Sequence, residues 1–82
     1  MVLVKKSVYT KKYDYFRQLL IEARRKGQMT QVQVAKLLLR PQSYVSKYEV
    51  GERRLDVIEF LEVAKVIKCD PLSILRKLEL FK

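Results

Sequence analysis

A chain of 82 residues, 49% of them hydrophobic, is one domain with enough apolar content to fold and little margin beyond that. Its single cysteine (Cys69) and lack of histidine exclude an internal disulfide, and leave a zinc centre or a histidine-based catalytic site without ligands. The net charge of +9 is concentrated: residues 1–54 carry 13 Lys and Arg against 4 Asp and Glu, while residues 55–82 carry 5 of each. A solvated surface usually mixes the two signs, so a one-sided basic half points to a polyanionic partner, nucleic acid before membrane.

Two glycines, two prolines and few β-branched runs favour an all-α fold. Residues 1–11 hold three of the lysines and no clear period, and are expected to form a flexible N-terminal arm ahead of a single domain over 12–82. No apolar run approaches the ~20 residues of a membrane span. The opening Met-Val-Leu-Val-Lys-Lys is too short for a signal-peptide core, so a cytoplasmic protein is expected.

From Lys12 to Lys26, the residues Tyr15, Phe16, Leu19, Leu20 and Ala23 recur at spacings of three and four. They predict a first helix, ended by Gly27, whose outer face carries Arg17, Arg25 and Lys26. Thr30 and Gln33 then have the spacing of a capping box, in which each side chain satisfies a free backbone N–H. They open a short helix carrying Val34, Leu37 and Leu38. After Leu39-Arg40-Pro41 the pattern resumes with Val45 and Tyr48. Pro41 suits the first turn of that second helix, and Gly51 suits its left-handed end. Two helices of about eight residues cannot stand alone in water, so this pair must rest on the remainder of the chain.

Asp56 and Glu59 repeat the capping signature before an apolar stripe of Val57, Phe60, Leu61, Ala64 and Ile67. Asp70-Pro71 opens a last helix whose apolar side is expected at Leu72, Leu75, Leu78 and Phe81. Five helices result.

The string T-Q-x-x-V-A-x-x-L, followed by P-Q-S-Y-V-S-K-Y-E-x-G-E-R-R-L-D-V and a helix ending in A-K-V-I, resembles the lambda repressor and Cro-like helix-turn-helix family, the Xre family. It is most similar to the branch of small stand-alone bacterial regulators. The likeness covers about Leu20 to Leu75, and it is specific because flanking helices and connection lengths agree along with the central pair. It implies a five-helix lambda repressor-like DNA-binding domain, with the helix of residues 41–50 in the major groove.

Carried over by position, the resemblance puts Gln31 on a phosphate. Gln42, Ser43 and Tyr44 stand where bases and nearby backbone are contacted, with Ser46 and Lys47 one turn further on. Glutamine can hold adenine by two hydrogen bonds, lysine can reach guanine or a phosphate, and an aromatic edge can meet a thymine methyl. Arg40, Arg53 and Arg54 lie in connections as phosphate candidates. Arg24 and Glu49 match positions that form a buried ion pair between the first and recognition helices. Two departures stand out: Leu39 occupies the usual turn glycine, and Gln28 another, so strain or a relaxed turn is expected.

The function implied is a sequence-specific transcriptional regulator, a repressor occupying an operator on double-stranded DNA. One module spans few base pairs, so a homodimer is expected, with Leu72, Leu75, Leu78 and Phe81 as its seam. Two other readings stand beside it: an antitoxin-like protein-interaction module on the same fold, and a non-specific nucleic-acid binder driven by charge. No acid, base or nucleophile constellation suggests an enzyme, and no cofactor or metal is expected.

Overall fold

The computed structural model describes residues 10–82, in which five helices follow one another: α1 (Lys11–Lys26), α2 (Gln31–Leu38), α3 (Gln42–Val50), α4 (Val57–Val66) and α5 (Pro71–Leu80). No strand occurs among the described residues. The expected N-terminal arm lies outside them, except for its last two positions. Those two differ from the expectation, because the Thr10 hydroxyl accepts from the Tyr13 N–H at 3.1 Å and starts α1 at Lys11.

Each later start follows from its cap. Thr30–Gln33 and Asp56–Glu59 form complete capping boxes, and Asp70 accepts from the Leu72 N–H with Pro71 in the first turn. Pro41 departs from the expectation. It is the N-cap of α3 (φ −65°, ψ 154°) and not its first helical residue, and no side chain caps that end.

Helix ends share one device. The N–H groups of Met29, Arg40 and Cys69 return to the carbonyls of Arg24, Ala35 and Ala64, five residues back. The residue before each return is left-handed: Gln28 (φ 60°), Leu39 (φ 59°) and Lys68 (φ 60°). Gly51 (φ 91°) does the same after α3.

The core gathers Phe16, Leu19 and Leu20 of α1, Val34 and Ala35 of α2, Val45 and Tyr48 of α3, Phe60, Val63 and Ala64 of α4, then Ile67 and Ile74. Phe16 meets Phe60 edge-on at 5.3 Å, a favoured aromatic geometry. Complete burial of Val34, Val45 and Val63 stabilises by about 1.5–3 kcal/mol each.

Two stripes turn out rotated. In α4, Phe60, Val63 and Ala64 point inward, as does Ile67 at its C-cap, whereas Val57, Ile58 and Leu61 are exposed. In α5 the buried residue is Ile74, with Leu78 half-buried and Phe81 stacked on Tyr15 at 5.0 Å. Leu72 and Leu75 face solvent. Leu37 of α2 is likewise exposed. These residues keep the helical period but sit on the other side of it. None of the helices among the described residues is long and apolar enough to cross a membrane.

Candidate nucleic-acid interface

Helix α3 divides cleanly by side. Tyr44, Val45, Tyr48 and Glu49 are buried, at spacings of one, three and four that place them on one face. The opposite face carries Gln42, Ser43 and Lys47, all exposed, with Ser46 half-buried between the two. A helix carrying a polar, hydrogen-bonding outer face on an apolar base can enter a groove without disturbing its own core.

Helix α1 reaches this helix through charge. Arg24 grips Glu49 with two bonds, Nε to Oε2 at 2.7 Å and Nη2 to Oε1 at 3.0 Å, and both side chains are nearly buried. Arg24 Nη1 also donates to the Met29 carbonyl at 2.9 Å, so the guanidinium is well supplied with acceptors. The hydrogen bonds to Glu49 hold the Arg24 pKa above its ordinary value, against the opposing effect of burial.

The network continues outward. Gln31 Nε2 donates to Glu49 Oε1 at 2.8 Å, and Gln31 Oε1 accepts from Gln42 Nε2 at 2.9 Å. Amide orientation here is set by chemistry. Glu49 can only accept, so Gln31 must turn its NH2 toward it and its oxygen toward Gln42. Gln42 must then offer Gln31 an N–H, which leaves it one N–H and its carbonyl oxygen for a partner outside. A donor and an acceptor side by side match the N7 and N6 edge of adenine. Gln31 is accordingly a link in the chain from Arg24 to Gln42, and it keeps one N–H to spare for the phosphate contact expected of it.

The connection cations are also more engaged than expected. Tyr44 is 7% exposed, with its ring edge-on to Tyr48 at 5.7 Å and guanidiniums packed against it: Arg40 at 4.5 Å and Arg53 at 4.7 Å from its centroid. Its ring is a platform for the two arginines, with little of it left exposed. Burial pushes its hydroxyl pKa up. Arg53 is bound at both ends of its fork to Glu59, at 2.8 and 3.1 Å, and also donates to the Arg54 carbonyl. Those hydrogen bonds, with one from the Asp56 N–H, hold the Glu59 carboxyl at about 2. The charge of Arg53 is thus offset inside the molecule, whereas Arg40 is exposed on its aromatic support. Arg54 packs over Tyr13 at 4.6 Å.

Two residues of consequence escaped the sequence reading. Arg17 is held among its neighbours rather than outward: Nη1 donates to the Glu49 backbone oxygen and Nη2 to Asp14 Oδ1, both at 2.6 Å. The spacing of seven between Arg17 and Arg24 was the available signal, since two helical turns return to one face. Glu59 was legible only as a cap. Its pairing with Arg53 crosses a connection whose path local pattern does not give.

An all-α bundle carrying a paired α2–α3 unit, with a polar outer face on α3, defines a helix-turn-helix DNA-binding regulator. A helix-turn-helix family model matches residues 20–74. Among solved structures, an XRE-family like protein from Pseudomonas syringae pv. tomato str. DC3000 is 46% identical, covers 93% of each chain, and superposes with a TM-score of 0.84. The chain belongs to the XRE family of helix-turn-helix proteins. No curated protein matches it.

Proposed function

We propose that this regulator is a repressor that reads an operator with α3 in the major groove and binds it as a homodimer. The observation that carries the reading is the oriented Gln42: its free donor and acceptor are fixed by the chain of bonds through Gln31 to Glu49. Ser43 and Lys47 flank it on the same exposed surface, and Ser46 borders them. Arg40, exposed at the turn, supplies a phosphate contact, with Arg53 held close by. Phosphate contacts set affinity and position, and the α3 side chains set sequence.

A dimer follows from the small footprint of one module. The apolar surface that supports it is Val57, Ile58 and Leu61 of α4 with Leu72 and Leu75 of α5, all exposed. Leu78 and Phe81, half-buried inside the protomer, contribute little to that seam. DNA as partner also favours a cytoplasmic location.

Selection of random duplexes at moderate salt tests the proposal. The expected result is an inverted repeat with half-sites about ten base pairs apart. Gln42→Ala should then relax one adenine position in each half-site, at a cost on the order of 1–3 kcal/mol. Bound pools without a motif, together with affinity that collapses as salt rises, would leave only a charge-driven binder.

A further inference from the structure

We infer that Arg17 is a positioning residue for base reading: with Arg24 it clamps α3 to α1 through both ends of one residue, Glu49. The inference rests on the proposal that α3 reads DNA. Arg24 holds the Glu49 carboxylate, and Arg17 holds the Glu49 backbone oxygen at 2.6 Å. A grip on the carboxylate alone leaves two methylene torsions through which the helix can roll or slide. A grip on the backbone removes that freedom, because the carbonyl is part of the helix itself.

The surroundings are shaped for this grip. Asp14, one turn back on α1, holds the other end of the Arg17 fork at 2.6 Å and fixes its direction. Gly51 lies against the guanidinium, and a Cβ there would sit 3.1 Å from Nε and 3.3 Å from Cζ. Glycine at this position therefore serves both the left-handed turn and the close approach of Arg17. The Arg17 Nε is buried without a hydrogen-bond partner. An unmade bond is tolerated there because the two terminal nitrogens are held so well. The cation also faces the negative end of the α3 dipole and satisfies one of the last carbonyls, which otherwise lack partners.

Glu49 lies seven residues from Gln42, about 10 Å along α3. A helix free to roll at its tail carries Gln42 and Ser43 out of line with base edges, and hydrogen bonds weaken steeply with misalignment. Contacts to phosphates by long, mobile cations tolerate the same movement. Loss of Arg17 should therefore reduce sequence preference more than it reduces DNA binding as such.

The test uses the full chain, with fluorescence anisotropy on the duplex selected for the wild type and on a scrambled duplex, across a salt series. Arg17→Met keeps the stem over Gly51 and removes the donors, and the exposed Arg25→Met controls for loss of one positive charge. The expected result for Arg17→Met is about a tenfold loss on the selected duplex, the size of one base-pair mismatch, with the scrambled duplex changed no more than in Arg25→Met. The slope of log affinity against log salt should match that of Arg25→Met, since Arg17 touches no phosphate in this scheme. Arg17→Lys, which has one nitrogen for two acceptors, should fall between wild type and Arg17→Met. If Arg17→Met is unfolded by circular dichroism, the same comparison is read from Arg17→Lys. Equal losses on both duplexes, or an unchanged preference, would overturn the clamp. A wild type without any selected motif would instead remove the underlying reading of α3.

Discussion

Leu39 meets the hardest backbone demand in the helix-turn-helix. Its φ of 59° and ψ of 42° are left-handed, and the side chain is 91% exposed, so no burial offsets the strain. A left-handed non-glycine residue costs roughly 1–2 kcal/mol. Leu39→Gly should therefore stabilise the fold by about 1 kcal/mol, read as a higher urea midpoint. A lower midpoint would mean that the leucine makes a contact the isolated protomer does not contain. Arg24 stands at the opposite extreme. Arg24→Met would leave Glu49, 4% exposed, with its charge in the core and only Gln31 to donate to it. The expected loss is about 3–5 kcal/mol in chemical denaturation, a large fraction of what a domain this size possesses.

At the level of elements, α4 is tied to the connection that follows α3 by the Arg53–Glu59 pair and starts on a box that uses the same carboxylate. The Glu59 carboxyl titrates near 2 in the folded protein against an ordinary 4.5. The folded state thus binds this proton more weakly than the unfolded chain. Its stabilising contribution is complete above about pH 4.5 and is lost as pH falls toward 2. Thermal unfolding followed into acid should show that decline, and Glu59→Gln should flatten part of it. An unchanged acid limb in the variant would assign the decline to other carboxylates. The rotation of α5 gives a second test. Ile74→Ala should cost about 2–5 kcal/mol, and Leu72→Ala no more than about 0.5, both measured on dilute protein. Reversed magnitudes would mean that the helix turns its other face inward.

For the molecule as a whole, the excess charge is uneven along the chain, while exposed apolar side chains occur in both halves. The cationic excess lies in the half that contains α2 and α3, and the electrically balanced half carries the exposed Val57, Ile58, Leu61, Leu72 and Leu75. The proposed dimer uses the exposed apolar side chains of the electrically balanced half. Leu61→Glu combined with Leu72→Glu should convert a dimer to a monomer in sedimentation velocity while preserving helical circular dichroism. Affinity for a two-half-site duplex should fall with it, and affinity for a single half-site should not. A wild type that sediments as a monomer, both free and on DNA, would reject the dimer.

What the sequence determined by itself is whatever is local. Thr30–Gln33, Asp56–Glu59 and Asp70-Pro71 lie within hydrogen-bonding reach along the chain, so helix starts are legible from spacing alone. Gly51 likewise announces its left-handed end. The class of partner was legible too, because uneven charge is a property of composition. Tertiary structure decided the rest. Leu72, Leu75 and Leu78 satisfy a helical period as well as Ile74, Leu78 and Phe81 do, and only packing against α1 and α4 selects which set is buried. The same holds for Arg17, Tyr44 and Arg53. Each looks like a free surface group in the sequence, and each acquires its role from a partner that the packing of helices brings within reach: the Glu49 carbonyl, the two guanidiniums and the Glu59 carboxylate. Spacing gives a residue its neighbours along the chain, and packing gives it those across space.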